Sequence, residues 1–359
     1  MILIFNLYYI IIMDTTNSPK VILVTGGLGY IGSHTVVELI ENGYEVEIID
    51  NLSNSNIKCL ERLEKLTNKK IKFYQIDLLD YSKVEDVFKS SKVPFYGIIH
   101  FAGLKSVNES TRIPLQYYKN NLISSIDLVE LANKYSCGNF IFSSSACVYG
   151  TSSEPCKETN SLGPINPYGR TKLMIENILI DVSNSSNGKF RSLILRYFNP
   201  VGSHKSGQIG DSPNGIPQNL FSVIENHVKG KTEKISIFGN DYNTHDKTAI
   251  RDYIHVVDLA QAHVVALKKF EDSNLKTYDI YNLGTNNGLS VLQIVNEYMK
   301  ASGKKINYEF AGRRAGDAEI CVANAEKAKN ELGWSSKYGV EDMCKDSYRW
   351  ISQNPNGYE

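Results

Sequence analysis

Residues 21–41 read VILVTGGLGYIGSHTVVELIE, and this stretch changes character twice. Residues 20–25 are β-branched and apolar without alternation, the pattern of a strand buried on both faces. They run into a glycine turn with Gly26, Gly29 and Gly32 at GxxGxxG spacing, and residues 31–41 then look helical. A strand, a glycine turn and a helix in that order aim backbone N–H groups and a positive helix end at a pyrophosphate. The three glycines are therefore candidate cofactor-binding positions. A second strand over 46–49 ends in Asp50, about 20 residues past the glycines. An acid there binds both ribose hydroxyls of NAD and repels the 2′-phosphate of NADP, so the expected cofactor is NAD.

The alternation continues outward. Strands are expected at 71–76 ending in Asp77-Leu78, at 97–101 ending in Ala102-Gly103, at 139–143 ending in Ser144-Ser145, and at 191–197. Between them lie a helix over 81–90 and one long helix over 112–135 that carries Asn120 and Asn121. Repeated strand–helix units give an α/β fold, a Rossmann-type doubly wound parallel sheet with right-handed crossovers. Ligands bind beyond the carboxyl ends of such strands. Asp50, Asp77, Phe101-Ala102-Gly103 and Ser145 all fall there.

After Gly202 the rhythm changes. Residues 203–217 are rich in Gly, Ser and Pro; helices are expected at 217–229, 290–302 and 324–332, and strands at 235–238 and 306–310. The expected organisation is an N-terminal extension over 1–19, a dinucleotide-binding domain over 20–200, and a smaller mixed α/β substrate lobe over 201–359 that sends some segments back to the first domain. The charged run 61–70 reads as a solvated helix face.

Tyr168-Gly169-Arg170-Thr171-Lys172 carries the chemistry. Tyr168 and Lys172 at i and i+4 share one helix face. Asn166-Pro167 reads as an N-cap followed by Pro at N1, which puts Tyr168 in a first turn. The Lys172 ammonium and the helix N-terminus both favour phenolate, so the expectation is a Tyr168 pKa drawn down toward neutrality. Such a phenol acts as a base on a sugar or alcohol hydroxyl.

Charges balance over the 359 residues, 39 Lys+Arg against 39 Asp+Glu, which argues for a small-molecule partner rather than nucleic acid. Cys59, Cys137, Cys147, Cys156, Cys321 and Cys344 form no CxxC, and no His/Cys cluster has metal-ligand spacing, so no metal is expected and the compartment reads as reducing and cytoplasmic. Residues 1–13, MILIFNLYYIIIM, are too short for a membrane span and lack a basic n-region. They read as an extension outside the fold, such as translation from upstream of a start at Met13, with a weak membrane-associating tail as the alternative; 14–19 read as a disordered lead-in.

The runs VTGGLGYIGSHT, DNLSNS, IHFAGLKSV, FSSSACVYG, PYGRTKLMIE, LRYFNPVGSH, GIPQNL, IFGNDY, RDYIHVVDLA, YNLGT and AGRRAGD, spread over nearly the whole chain, resemble the extended short-chain dehydrogenase/reductases and most closely the UDP-glucose 4-epimerase family. The resemblance implies tightly held NAD and reversible inversion of a UDP-hexose at C4 through a 4-keto sugar, in galactose metabolism. It implies a catalytic set of Tyr168, Ser145 and Lys172. It further implies that Tyr30, Ile31, Asp50, Asn51, Leu52, Ser53, Asn54, Ser55, Asp77, Leu78, Phe101, Ala102, Gly103, Lys105, Asn120, Ser145, Tyr168, Lys172 and Phe198 hold the cofactor. Lys105, Ser145, Tyr168, Asn199, Asn219, Leu220, Ile237, Phe238, Arg251, Arg314, Asp317 and Cys321 would line the UDP-sugar site. It also implies a homodimer through helices near 112–135 and 167–184. A 4-epimerase of UDP-pentoses or uronates on the same scaffold is the alternative.

Two positions bear on specificity. Ala146-Cys147 follow Ser145 where the related 4,6-dehydratases carry an acidic pair, which argues against dehydration. Cys321 stands where related epimerases carry a bulky Tyr or a small residue. A small side chain there leaves volume beside C2 of the sugar, so UDP-GlcNAc and UDP-GalNAc are expected substrates too.

Overall fold

The computed structural model describes residues 19–151, 155–215, 219–314 and 318–359. The expected extension over 1–18, the start of the helix at Pro217, and Asp317 lie outside the described residues.

In chain order the first half is β1 (Val21–Thr25), α1 (Tyr30–Glu41), β2 (Glu45–Asp50), α2 (Lys58–Thr67), β3 (Lys72–Gln75), α3 (Tyr81–Ser90), β4 (Gly97–His100), α4 (Val107–Arg112), α5 (Pro114–Tyr118), α6 (Ser124–Lys134), β5 (Asn139–Ser145), α7 (Pro167–Ser185), β6 (Arg191–Tyr197) and β7 (Asn199–Val201). The second half adds α8 (Leu220–Val228), β8 (Ile235–Phe238), β9 (Ile250–His255), α9 (Val256–Lys269), β10 (Tyr278–Leu283), β11 (Gly288–Ser290), α10 (Val291–Ser302), β12 (Tyr308–Ala311), β13 (Ile320–Cys321) and α11 (Val340–Gln353).

The main sheet has seven strands in the order β10-β6-β5-β4-β1-β2-β3, paired in parallel throughout. The chain runs outward from β1 to β3, then returns to β4 on the other side of β1. That reversal is a topological switch point, where ligands of such sheets bind. Every residue of β1 and β4 is buried, which explains their uninterrupted apolar pattern. One apolar layer packs α1, α2 and α9 on the sheet, and the other packs α3, α6 and α7. The chain after residue 201 therefore returns to this sheet, with β10 as an edge strand, α9 against α1, and Trp334 and Trp350 in the same layer. A further core in that half joins α8, α10 and α11. Its central strand β9 pairs with β7, β11 and β13.

The helix expected over 112–135 is helical without a gap from Pro114 to Lys134, as α5, a π-helical turn Lys119–Ile123 and α6; a break at Ile113 separates it from α4. Pro114 forces the break: the residue before a proline is pushed out of the α region, and Ile113 sits at φ −128°, ψ 55°. The helix expected over 324–332 is likewise a short segment ending in a π-helical turn, Ala328–Leu332. No helix among the described residues is long and apolar enough to cross a membrane.

Candidate active site

The glycine turn sits at the switch point. Gly26 has φ +69°, and a Cβ there would lie 2.8 Å from the backbone N of Ala102. A Cβ on Gly32 would lie 2.2 Å from the Gly26 carbonyl oxygen. These two positions accept only glycine, because the first turn of α1 lies directly on the loop. Gly29 caps α1 without a side-chain hydrogen bond, which leaves the helix N-terminus open to an anion. Asp50, at the end of β2, is buried; one carboxylate oxygen accepts from Leu28 N (3.1 Å), the other from Leu52 N (2.9 Å) and Ser55 Oγ (2.8 Å). It therefore couples the glycine turn to loop 51–55, where Leu52 is held at φ +61°. Asn51 donates to Asp77 (3.0 Å), and Asn214 of the second half clasps Ser53 and Asn54 (3.1 and 2.9 Å).

Other predicted cofactor residues surround this turn. Tyr30 donates to the Gly202 carbonyl at 2.6 Å. Phe101, Ala102 and Gly103 follow β4, and Lys105 is exposed just beyond. Asn120 donates to the Asn121 side chain (2.9 Å). Ile31 and Leu78 turn their side chains into the core, so only their backbones face a ligand. Phe198 is buried beside Ala146 and Val148.

Ser145 is the last residue of β5, and its Oγ accepts from Cys147 N at 3.2 Å. Asn166 caps α7 by accepting from Gly169 N at 2.8 Å, with Pro167 in the first turn. A Cβ on Gly169 would meet the Cys147 carbonyl at 2.8 Å, so Gly169 lets α7 touch the turn that follows Ser145. The Ser145 hydroxyl lies beside the Tyr168 hydroxyl. Lys172 is buried, donates to the Ser143 carbonyl (2.5 Å), and lies 5.8 Å from the Tyr168 ring centre.

The electrostatics correct one expectation. Burial pushes the Tyr168 phenol up from its ordinary value, Cys147 adds to the rise, and the Ser145 hydroxyl opposes it. Burial strips water from the phenol and so disfavours its charged form. Burial also draws the Lys172 ammonium down to about 8. The protein alone thus holds Tyr168 neutral.

Of the second-half candidates, Arg251 and Cys321 lie near Cys147, in the turn after Ser145. Asn199 on β7 donates to the Asp252 carbonyl of β9 at 2.9 Å. Arg251 stands opposite Cys321 in the β9–β13 register. The Arg314 guanidinium lies 3.8 Å from the Phe238 ring centre. Asn219 caps α8 without using its side chain, and Leu220 begins that helix. Ile237 is core, with 1% of its surface exposed. The Cys321 thiol shares a hydrogen bond with Cys156, and that bond with burial holds it well above the ordinary thiol range.

Asn121 was not singled out for a role. Its side chain accepts from Leu104 N (2.8 Å) and donates to Leu104 O (3.0 Å) and Thr171 Oγ1 (3.2 Å), tying the loop after β4 to α7. An unbroken helix hides that contact; the π-helical turn aims the side chain inward.

A family model described as GDP-mannose 4,6 dehydratase matches residues 23–347. A UDP-glucose 4-epimerase of Bacillus subtilis (strain 168) is 52% identical over 339 residues, which cover 94% of this chain and 98% of the relative. The chain belongs to the UDP-glucose 4-epimerase family. Among solved structures, the Bifidobacterium longum UDP-glucose 4-epimerase in complex with NAD+ and UDP is 44% identical, with TM-score 0.88 over 94% of this chain and 99% of that one. The UDP-Glc/GlcNAc 4-epimerase from Campylobacter jejuni is 38% identical, with TM-score 0.80 over 93% and 99%. The epimerase fold thus extends over both halves of the chain, including the strands that carry Arg251 and Cys321.

Proposed function

We propose that the chain is an NAD-dependent isomerase that interconverts UDP-glucose and UDP-galactose. The observation that carries this is the hydroxyl pair Tyr168–Ser145 beside Lys172, at the carboxyl end of β5 on the same sheet edge as the glycine turn. The fit to NAD rests on the uncapped N-terminus of α1, the cradle that a Cβ on Gly26 or Gly32 would fill, and Asp50 at the end of β2. Held by these residues, NAD would supply acceptance and return of the C4 hydrogen as hydride.

The chain's own residues manage the proton and the pose. Tyr168 takes the proton of the sugar's C4 hydroxyl and later returns it on the other face. Ser145 steadies the same oxygen. Lys172 contributes a cation that favours the phenolate Tyr168 must become. Arg251 and Arg314 clamp the UDP pyrophosphate, so that affinity resides at the end that need not rotate. Asn199, Asn219 and Phe238 complete that end.

Dehydration is disfavoured because Ala146 and Cys147 hold no acid beside the sugar. We also propose turnover of N-acetylated UDP-hexoses, supported by the small Cys321 side chain opposite Arg251. Cys321→Tyr is expected to abolish UDP-GlcNAc turnover and spare UDP-galactose; unchanged UDP-GlcNAc activity refutes the open volume. A homodimer is supported by exposed Leu115 (82%), Ile123 (41%), Ile126 (43%) and Met174 (42%) on α5, the π-helical turn, α6 and α7. Leu115→Glu with Met174→Glu should halve the mass seen by sedimentation, and a mass unchanged from wild type removes that face as the interface. A cytoplasmic setting is supported by six scattered cysteines with no CxxC spacing.

The test is a coupled assay with UDP-galactose. Formation of UDP-glucose supports the assignment; a 4-keto-6-deoxy product or no turnover rejects it.

A further inference from the structure

Behind the reacting groups lies a charge pair that the mechanism does not use. Glu176 is four residues beyond Lys172 and eight beyond Tyr168, on the same face of α7. Arg196 belongs to β6, directly after its apolar stretch Leu193-Ile194-Leu195. Both side chains are 1% exposed. The contact is two-pronged, with Arg196 Nη2 donating to Oε2 at 2.7 Å and Nε donating to Oε1 at 3.0 Å. Ser144, the neighbour of Ser145, also donates to Glu176 Oε1. The other arm of Arg196 donates to the Tyr149 hydroxyl (2.9 Å), which donates to Asn282 (2.7 Å). Asn282 donates to the Cys156 carbonyl (2.8 Å), beside the strand that carries Cys321.

A buried ion pair of this kind is a poor source of stability, since desolvation offsets most of the attraction. Its value lies in what it holds. We propose that Glu176 and Arg196 are positioning residues for the epimerisation: they lock α7 onto the strand end carrying Ser145, and place a fixed negative charge one turn below the Lys172 ammonium. This rests on the epimerase reading above. The groups that bear on Lys172 are Tyr168 and Glu176 from α7, Cys147 from the turn after β5, and His100 from the end of β4. Glu176 is the one carboxylate in this set and favours the charged lysine, against burial.

The test compares wild-type holoenzyme with Glu176→Gln, measuring NAD content, melting temperature, and kcat and KM for UDP-galactose from pH 6 to 10. Wild-type turnover tests the epimerase reading; the variant-to-wild-type ratio tests the pair. The expected result is bound NAD and KM within twofold of wild type, kcat lower by roughly 10–100-fold, and the alkaline limb of kcat moved to lower pH by about one unit. If Glu176→Gln does not fold, the double variant Glu176→Leu with Arg196→Met removes both charges without stranding either. The proposal predicts the same loss of kcat there and a smaller shift in the same direction, because the opposing arginine charge goes too. An unchanged kcat, or a lowered kcat whose pH limb stays put, overturns it.

Discussion

The cofactor end and the sugar end of the site are built from different material. The cofactor end is backbone: a glycine turn, a helix N-terminus and one carboxylate, mostly within residues 26–55. The sugar end is side chains from β5, α7, β9 and β13, more than 170 residues apart at the extremes (Ser145 and Cys321). The first is governed by contact distances, the second by a balance of desolvation against charge. A fault at one end should therefore appear as lost binding, and a fault at the other as lost rate.

Tyr168→Phe is the largest expected break in that contrast. It should lower kcat by roughly 10³-fold, the scale of a general base, while NAD content and melting temperature stay as in wild type. Loss of NAD in this variant would merge the two ends. Gly32→Ala is the converse. Its methyl would sit 2.2 Å from the Gly26 carbonyl, so NAD affinity should fall by roughly 10–100-fold, the equivalent of about 1–3 kcal/mol of overpacking, with a lower melting temperature. Fluorescence titration with NAD on stripped protein measures it.

Asp50→Asn should act more gently. The amide keeps most of the shape that joins Leu28, Leu52 and Ser55 but removes the charge. The preference for NAD over NADP should shrink roughly tenfold. An unaltered ratio would show that loop 51–55, not the charge, discriminates.

The last effect is on stability alone and lies behind Tyr30, where the two halves meet. Burial pushes the Glu225 carboxyl up to about 8, although it accepts from Ser347 at 2.6 Å. Its folded value exceeds its unfolded one, so the folded state binds the extra proton between about pH 4.5 and 8, and stability from this group is lost as pH rises through that window. Glu225→Gln should therefore flatten the decline between pH 6 and 8, an effect on the order of 2 kcal/mol. Denaturant midpoints at the two pH values check it; a decline as steep as wild type places the titration elsewhere.

The same contrast explains what could be read without coordinates. The cofactor end was legible because its determinants are local: an apolar run, glycines at fixed offsets, an acid after the next strand. The catalytic residues were legible because Tyr168 and Lys172 share one helix turn. What escaped was non-local. Pro114 marked the start of the helix expected over 112–135, but nothing in the local pattern announced the π-helical turn that carries Asn121. Glu176 repeats the i+4 step from Lys172, and Arg196 directly follows an apolar stretch, yet only the packing of α7 on β5 and β6 pairs them. The Tyr168 expectation failed for a related reason. Spacing shows which charges are near a phenol and says nothing of how much water burial removes.

The central claim is that the C4 hydrogen leaves the sugar and returns to it inside one closed site, with Tyr168 handling only the proton on oxygen. Turnover of UDP-galactose carrying deuterium at C4, in ordinary water, with the product analysed by proton NMR, tests it most directly. The account predicts UDP-glucose that retains the deuterium at C4; product with hydrogen from solvent at that carbon would contradict it.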